Sequence, residues 1–331
     1  MYTRYFGLTE KPFAIAPNPR FLYMSELHRE ALAHLLYGIN SEGCIILLTG
    51  GVGTGKTTVC RCLIEQLPET TDVALILNPK LTIADLLKTI CEELGVRIAR
   101  EEATSKDYID GLNACLLDTH AKGRNTAVII DEAQNLDIEV LEQLRLLTNL
   151  ETDTQKLLQV VLIGQPELRD ILKIPALSQV SQRITTRYHL NSLQGADVAA
   201  NIQHRISVAG GDPRTLTLPD NVVRMINKHS GGVPRLINVV CDRALLGAYV
   251  ENKAYIDKKI VRKAIREVSA DAGNSSVLLR KLLVAGLVLL VLFVPLSLYL
   301  VLSEDGTFME KQMNKYFPDT TIENFRDGNE D

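Results

Sequence analysis

The sequence predicts an α/β fold in which a parallel five-stranded sheet carries a phosphate-binding loop, followed by a small all-helical domain and one C-terminal transmembrane helix. A glycine-rich segment joins an apolar run to a helical pattern at residues 44–58. Unbroken apolar runs of strand length alternate with amphipathic segments up to about residue 193. Beyond residue 194 the pattern is helical alone, until 21 residues without a charge occupy positions 282–302.

Length and composition indicate a globular protein of about two domains. The chain has 331 residues, 46% of them hydrophobic, and a net charge of −4. Three basic and eight acidic side chains fall in residues 303–331, so this tail carries −5 and the rest of the chain +1. Because no domain is strongly basic, binding to nucleic acid is not expected. The six cysteines lack C-x-x-C spacing and are interpreted as reduced core thiols of a cytoplasmic domain rather than metal ligands.

Residues 1–43 are predicted to form an N-terminal arm and a helix. The segment 5–23 contains aromatic residues and three prolines, so it is expected to be ordered but irregular. After Ser25, apolar residues recur at helical spacing. His28 and Glu30 fall in the first turn of this helix, where they are either solvent-exposed or close to a pocket for adenine; the sequence leaves both interpretations open. The N-terminus lacks the apolar region of a signal peptide, so it is expected to stay in the cytoplasm.

Residues 44–193 are predicted to form a nucleotide-binding domain around the loop G-x-x-x-x-G-K-[ST]. Closely spaced glycines allow successive backbone N–H groups to point at one anion, and the following helix adds the positive end of its dipole. Lys56 is expected to reach the β- and γ-phosphates, Thr57 to bind Mg²⁺, and Thr58 to lie beside the α-phosphate. The residues expected to bind ATP are Gly50, Gly51, Val52, Gly53, Thr54, Gly55, Lys56, Thr57 and Thr58.

Strands and helices alternate after this loop. Thr82 and Asp85 have the spacing of a capping box at a helix start, and Asp137 is expected to open a later helix. Strands that are apolar throughout indicate a parallel sheet covered on both faces, with ligands at the carboxyl ends of the strands. The apolar runs predict strands at 73–78, before Asp131, at 158–164 and at 185–190, with helices at 83–94 and about 106–121.

Polar residues mark the ends of these strands. Asp131 and Glu132 follow the third strand, where Asp131 is expected to hold the water shell of Mg²⁺ and Glu132 to orient the attacking water. Gln165 follows the fourth strand and is placed to contact both the γ-phosphate and that water. Arg183 precedes the fifth strand and is interpreted as a cation at the subunit edge. Arg187, within that strand, is the alternative.

Residues 194–272 are predicted to form a helical lid domain. Pro234 presets the first turn of its third helix, which gives Arg235 a fixed direction from which to cover the nucleotide. The four predicted helices occupy 196–209, 219–229, 234–250 and 257–268.

The uncharged run 282–302 is long enough for a transmembrane helix, since 21 residues at 1.5 Å each span about 30 Å. Seven basic residues precede it between Lys258 and Lys281, the last two in a juxtamembrane linker at 273–281, and three follow it. The positive-inside rule therefore predicts a cytoplasmic nucleotide-binding domain and an acidic tail, residues 303–331, on the other side of the membrane.

These features together resemble an AAA+ ATPase: a P-loop, an acidic pair, a polar fourth-strand tip, an arginine before the fifth strand, and Gly-x-Pro-Arg in a helical lid. More narrowly, YFGLTEKPF, DEAQNL, LLQVVLIGQPEL and SGGVPRLINVVCDRALLGAY resemble the secretion ATPases of the general secretion pathway protein A (ExeA) type and the related pilus-biogenesis ATPase MshM. The resemblance covers about residues 1–270.

The resemblance implies an ATPase that uses ATP and Mg²⁺, forms a ring-shaped homo-oligomer, and assembles or positions a secretion or type IV pilus-like complex in the bacterial inner membrane, with the tail in the periplasm. Secretion members carry a periplasmic domain that binds peptidoglycan, whereas 29 residues follow the predicted span here, so cell-wall binding is not implied. The implied roles are nucleotide and Mg²⁺ binding for Lys56 and Thr57, the Walker B pair for Asp131 and Glu132, sensor 1 for Gln165, the arginine finger for Arg183, and sensor 2 for Arg235.

Two other functions stay open. Transposition helper ATPases share this core, which allows an ATP-dependent regulator of DNA transactions; the predicted membrane span and the lack of a basic domain argue against it. A nucleotide-gated scaffold with little turnover is the other alternative, and an intact Glu132 argues against that one.

Overall fold

Five parallel strands form the sheet on which the nucleotide-binding domain is built. The computed structural model describes residues 1–40, 44–77, 79–98, 103–152, 155–212 and 216–270. The strands lie in the order β2-β3-β4-β1-β5, and every neighbouring pair is parallel. Their bounds are β1 (Ile45–Gly50), β2 (Thr71–Ile76), β3 (Asn125–Ile130), β4 (Gln159–Gly164) and β5 (Ile184–Leu190).

Helices cover both faces of this sheet and make up the lid. In chain order within the described residues they are α1 (Tyr2–Tyr5), α2 (Glu26–Asn40), α3 (Lys56–Gln66), α4 (Ile83–Glu93), α5 (Ser105–Ala121), α6 (Ile138–Leu147), α7 (Glu167–Ile171), α8 (Ser178–Gln182), α9 (Gly195–Val208), α10 (Asp220–Ser230), α11 (Pro234–Val250) and α12 (258–270). The short helices α1, α7 and α8 are not expected from the sequence, because segments of four or five residues carry little periodicity.

Strand β1 shows why the apolar runs are unbroken. Ile45 and Leu47 pack into the core shared with α4, α5 and α6, whereas Ile46 and Leu48 pack into the core shared with α2 and α3. Every residue of β1 is buried, since successive side chains point to opposite faces and helices cover both. The prediction of a parallel five-stranded sheet is confirmed.

The second strand starts earlier than predicted. The apolar run indicates 73–78, but pairing with β3 begins at Thr71 opposite Asn125 and ends at Ile76. Leu77, beyond the last paired residue, is 53% exposed. Hydrophobicity misplaces this strand because β2 is at the edge of the sheet, where backbone pairing with a single neighbour sets its ends.

Local signals place two helix starts correctly. Thr82 and Asp85 form the expected capping box at α4, with the Thr82 hydroxyl oxygen accepting from the Asp85 backbone N–H at 3.2 Å. Asp137 is the N-cap residue of α6, although its side chain makes no capping hydrogen bond. The six cysteines are free thiols, and five of them are buried, as core thiols should be.

The N-terminal arm belongs to the core of the lid. Tyr2, Leu8, Phe13 and Phe21 are buried in one cluster with the apolar faces of α9, α10, α11 and α12. The Tyr2 hydroxyl also donates a hydrogen bond to Asp242 on α11. Arm, sheet domain and lid together form one compact unit, Met1–Val268.

The predicted linker 273–281, transmembrane helix 282–302 and acidic tail 303–331 lie outside the described residues. Across the ranges that the structure does describe, no helix is both long and apolar enough to span a bilayer. The membrane span therefore stays a prediction.

Candidate active site

The glycine-rich loop connects the end of β1 to the start of α3 at the carboxyl edge of the sheet. Gly53 and Gly55 adopt left-handed backbone conformations, with φ of 79° and 105°. A Cβ atom on Gly53 would lie 2.6 Å from Cβ of Arg235, so this position needs both the φ angle and the space that glycine allows. Thr58 lies in the first turn of α3, behind Lys56 and Thr57.

Lys56 is held inside the loop by its own backbone. Its Nζ donates to the carbonyl oxygens of Gly50 at 2.9 Å and Gly51 at 3.1 Å. Burial lowers the pKa of Lys56, and the carboxylates of Glu132 and Asp131 offset part of that effect. A buried ammonium group whose hydrogen bonds go to neutral carbonyl oxygens is well placed to bind an anion.

Thr57 and Asp131 meet beside the loop. The Thr57 hydroxyl donates to Oδ2 of Asp131 at 2.6 Å, and the other carboxylate oxygen, Oδ1, accepts from the backbone N–H of Glu132 at 2.9 Å. Asp131 is 3% exposed, so its position is fixed by the end of β3 and by these two bonds. The sequence predicted this pair as the Mg²⁺ ligands.

Two glutamine amides hold Glu132. Its Oε2 accepts from Nε2 of Gln134 at 2.7 Å and from Nε2 of Gln165 at 3.2 Å, and Oε1 of Gln134 accepts from the Gln165 backbone N–H at 2.9 Å. Burial by itself raises the pKa of Glu132, but these two hydrogen bonds and the charge of Lys56 outweigh it, so the pKa lies below its usual value. Glu132 is therefore ionised at neutral pH.

Glu132 also has an uncommon backbone conformation. Its φ of 55° and ψ of 35° lie in the left-handed region, which residues other than glycine, asparagine and aspartate rarely adopt. Such a conformation costs about 1–3 kcal/mol and is concentrated at functional sites. The turn aims the carboxylate toward the loop immediately after β3.

The lid contacts the loop directly. Arg235 is the second residue of α11, and its backbone N–H donates to the carbonyl oxygen of Gly53 at 3.2 Å. Pro234 occupies the first position of the helix, as the sequence indicates. The Arg235 side chain therefore borders the loop on the side of the lid.

One cavity of about 410 Å³ joins most of the predicted residues. A volume in this range suits a small-molecule ligand. Beyond the loop it extends between the N-terminal arm and the lid, where Ile15 and Leu22 line one wall and Leu193 another. The predicted site residues that line it are Val52, Gly53, Gly55, Lys56, Thr57, Thr58, Glu132, Gln165 and Arg235.

Arg183 lies away from this cavity. It directly follows α8 and precedes β5, so it is at the amino edge of the sheet, whereas the loop is at the carboxyl edge. Seven residues of β5 separate the two edges by about 20 Å. Its Nη1 donates to the hydroxyl of Thr148 at 2.9 Å, whereas Arg187 is exposed and donates to the Ser181 carbonyl oxygen at 2.7 Å.

His28 is buried, so its interpretation as a solvent-exposed residue is wrong. Glu30 is exposed, and its carboxylate accepts a hydrogen bond from the Tyr188 hydroxyl at 2.9 Å. The imidazole Nε2 of His28 lies 3.2 Å from the Thr54 carbonyl oxygen, and Nδ1 lies 2.6 Å from the Ser25 hydroxyl. Because a carbonyl only accepts, Nε2 carries the proton and Nδ1 accepts from Ser25. His28 thus supports the loop from behind and lines the cavity.

Sequence reasoning missed Arg205 and Gln134. Arg205 on α9 donates to the carbonyl oxygens of Pro12, Ala14 and Phe21 at 2.8, 2.9 and 3.1 Å, and so ties the arm to the lid. Burial lowers its pKa to about 10. The sequence feature that could have identified Arg205 is its position on the apolar face of α9, in line with Val198 and Ile202. The feature that could have identified Gln134 is its position in the segment DEAQ, two residues after Glu132.

His28→Gln is expected to reduce the acid sensitivity of the fold. Burial lowers the pKa of His28 in the folded chain, so below about pH 6.5 the unfolded chain binds the extra proton first and stability is lost as the pH falls. Glutamine keeps an N–H donor for Thr54 but does not titrate. Between pH 7.5 and 5.5 the thermal unfolding midpoint should therefore fall less in the variant than in the wild type. His34→Gln, an exposed change on the same helix, is the control, and equal falls in all three proteins contradict the assignment.

Residues 39–172 match the family model of the AAA domain. Over 269 residues the chain is 52% identical to general secretion pathway protein A of Aeromonas hydrophila. The aligned region covers 81% of this chain and 49% of that protein. Residues 39–172 therefore form an AAA domain, in a chain that is similar to general secretion pathway protein A. The chain spans about half the length of that curated relative.

Two solved structures have a fold similar to that of this chain. The ORC2 protein of Aeropyrum pernix, solved as ADPNP and ADP complexes, superposes with a TM-score of 0.59 at 21% identity, covering 78% of this chain and 71% of that one. Cdc6p of Pyrobaculum aerophilum superposes with a TM-score of 0.60 at 18% identity, covering 78% and 70%. At these identities the similarity shows the fold, and the predicted P-loop α/β fold is confirmed.

Proposed function

We propose that this AAA-domain protein is a membrane-anchored ATPase that uses ATP hydrolysis to assemble or position a secretion or type IV pilus-like complex in the bacterial inner membrane. One observation carries the enzymatic part. A buried lysine, a threonine–aspartate pair and an ionised glutamate held by two amides converge at one phosphate-binding loop, and a lid arginine covers it.

The loop supplies the binding of the phosphates. Backbone N–H groups at the start of α3 and the ammonium group of Lys56 provide the positive field for the triphosphate. When ATP binds, Lys56 exchanges its hydrogen bonds to Gly50 and Gly51 for charge-assisted bonds to phosphate oxygens, which are stronger. Arg235, whose helix starts at the loop, adds a second cation from the lid.

The residues beside the loop fit a magnesium ion. The hydroxyl of Thr57 and the carboxylate of Asp131 are oxygen donors that meet at 2.6 Å, and Mg²⁺ prefers oxygen ligands with retained waters. Thr57 and Asp131 are therefore the residues that would hold the ion, which would neutralise charge on the phosphate oxygens.

Glu132 is the group that acts on water. Both glutamine amides bind the same carboxylate oxygen, Oε2, which leaves Oε1 to accept the proton of the attacking water. A lowered pKa keeps the carboxylate ionised, and Gln134 and Gln165 restrict its rotation. Gln165 therefore positions Glu132. Its place at the end of β4 also predicts a contact with the γ-phosphate.

The position of Arg183 supports a role in ATP hydrolysis at the site of a neighbouring subunit. It lies at the edge of the sheet opposite its own loop, so it can stabilise a γ-phosphate only in a neighbouring copy of the chain. This geometry favours a homo-oligomer in which each site is completed by the next subunit, and a closed ring satisfies that requirement for every subunit.

The proposed membrane anchor rests on the sequence, and the proposed cellular role rests on the similarity to general secretion pathway protein A. The run 282–302 supplies the membrane span, and the basic residues before it keep the nucleotide-binding domain in the cytoplasm. Similarity to general secretion pathway protein A over 81% of this chain supports a role at a secretion or pilus complex.

The topology has a direct test. Protease added to spheroplasts is expected to remove only residues beyond Leu302, because the rest is in the membrane or the cytoplasm. Mass spectrometry of the fragments, before and after permeabilising the inner membrane, locates the cuts. A protected tail together with a digested nucleotide-binding domain contradicts the proposed orientation, and recovery of the intact chain in the soluble fraction contradicts anchoring.

A further inference from the structure

Helix α12 of the lid has an apolar face and a basic face. Ile260, Val261 and Ala264 are at most 3% exposed and belong to the lid core. The basic side chains are all exposed, and at 100° per residue they occupy about 140° of the helix circumference on the other side. They are Lys258, Lys259, Arg262, Lys263 and Arg266. We call these five side chains the basic face of α12.

The charge of the basic face is not neutralised by ion pairs. Among the described residues, none pairs with any of the five cations. Glu267 is the one acidic residue in positions 258–270. The two carboxylates just before the helix are already engaged, since Glu251 and Asp257 bind Nζ of Lys253 at 3.0 and 2.9 Å. The basic face is therefore available to an anionic partner.

The spacing of these cations does not help the helix itself. Like charges four residues apart repel one another on a helix and destabilise it. The basic face contains three such pairs, Lys258 with Arg262, Arg262 with Arg266, and Lys259 with Lys263. A partner that carries negative charge removes this repulsion.

Chain length keeps the basic face close to the predicted membrane span. Residues 271–281 separate α12 from the uncharged run 282–302. A segment of this length reaches about 40 Å at most, whatever its conformation. Attraction to a membrane that holds the run 282–302 is therefore intramolecular, which makes even a weak attraction effective, whereas a nucleic acid has to be captured from solution.

We propose that the basic face of α12 docks on the anionic phospholipid headgroups of the membrane that anchors this chain. The inference rests on the membrane anchoring in the proposed function. Clusters of lysine and arginine beside a membrane span are typical of binding to anionic lipids, and each cation near the surface contributes about a factor of five. Docking through this face fixes one side of the lid to the bilayer.

Burial of the apolar face decides how the helix can bind. A free amphipathic helix inserts its apolar side chains among the acyl chains. Those of α12 pack in the lid core instead, so they are not available to lipid. Docking is therefore electrostatic: it requires anionic lipid, and salt weakens it.

The test uses the full-length protein in nanodiscs of phosphatidylcholine, with and without phosphatidylglycerol. The rate of acetylation is measured at each lysine by mass spectrometry. Lys258, Lys259 and Lys263 should react about tenfold more slowly when the anionic lipid is present, and salt at about 1 M should restore their rates. Lys122 and Lys173, exposed in the nucleotide-binding domain, should react alike in both lipids.

A double variant tests the role of the charge. Arg262→Gln with Arg266→Gln removes two cations and keeps the three lysines of the basic face as reporters. Docking should weaken by about 30-fold, so the three lysines should lose most of their protection. Arg224→Gln with Lys228→Gln is the matched control, because it removes two exposed cations with the same spacing on α10. This control should be protected like the wild type.

The possible failures are distinct. If the protein is not retained in discs of either lipid, the proposed anchoring is wrong and the docking falls with it. If it is retained in both but the three lysines react alike, docking is overturned and anchoring stands, whether or not the variants fold. Protection that persists in 1 M salt, or that is lost equally in the α10 control, also overturns it. Protection by added duplex DNA but not by anionic lipid assigns the basic face to nucleic acid instead.

Discussion

Glu132→Gln is expected to bind ATP as the wild-type protein does and to hydrolyse it about 10²–10⁴-fold more slowly, the range for removal of a general base. Glutamine has almost the same size and still accepts hydrogen bonds from Gln134 and Gln165, so the turn after β3 is kept. Only the negative charge that withdraws the proton from water is lost. Phosphate release and binding of a fluorescent ATP analogue, measured on the same preparation, separate the two effects.

Lys56→Ala is expected to show the opposite pattern, with ATP affinity lowered by about 100-fold, because a charge-assisted hydrogen bond contributes about 1.5–3 kcal/mol. Glu139→Gln and Lys88→Ala, exposed changes in α6 and α4, are the matched controls and should behave like the wild type. Equal ATP affinity in the wild type and Lys56→Ala removes the loop from the proposed site. Full turnover by Glu132→Gln assigns the base to another residue.

The Glu132→Gln variant can also be used to identify the partner proteins. With ATP bound and not hydrolysed, Glu132→Gln should hold its assembled state for long enough to be crosslinked in native membranes. Components of a secretion or pilus complex in the crosslinked product support the proposed role. A product that contains only this chain limits the role to self-assembly.

Arg183→Ala is expected to bind ATP normally and to lose about 10³–10⁵-fold in hydrolysis, the range for an arginine finger delivered by a neighbour. The reason is geometric, because Arg183 lies about one strand length, about 20 Å, from its own phosphate-binding loop. Specific activity of the wild type should accordingly rise with protein concentration.

Mixing two inactive variants gives the sharper measurement. Arg183→Ala subunits keep Lys56 and Glu132 but lack the finger, whereas Lys56→Ala subunits keep the finger but lack nucleotide. If the finger acts across an interface, the mixture should recover part of the activity. Restored activity at a mixed interface requires that Arg183 of one subunit serves the site of another.

A structural role of Arg183 is tested by removing its partner. Thr148→Ala deletes the hydroxyl that Arg183 binds but leaves the guanidinium, so it should stay close to wild-type activity if Arg183 is a finger. Equal inactivation by Thr148→Ala and Arg183→Ala, or a mixture that stays inactive although both variants assemble together, assigns Arg183 to structure. Arg187→Ala is then the next variant to examine.

Features that depend on near neighbours in the chain could be predicted before the fold was known. Strand β1, the glycine-rich loop and the start of α3 follow from one continuous segment, because phosphate binding needs the strand end, the glycines and the helix start in that order. Helix starts followed from capping residues within one turn. The position of Arg235 was predictable because Pro234 fixes the start of the helix in which Arg235 is the second residue.

Contacts between distant parts of the chain became visible only in the folded protein. Gln134 and Gln165 are 31 positions apart, and their shared hold on Glu132 exists because β3 and β4 are adjacent in the sheet. The burial of His28 against the Thr54 carbonyl depends on how α2 packs against the loop. Hydropathy and spacing report the surroundings of one segment, whereas these contacts join segments that the sequence leaves far apart.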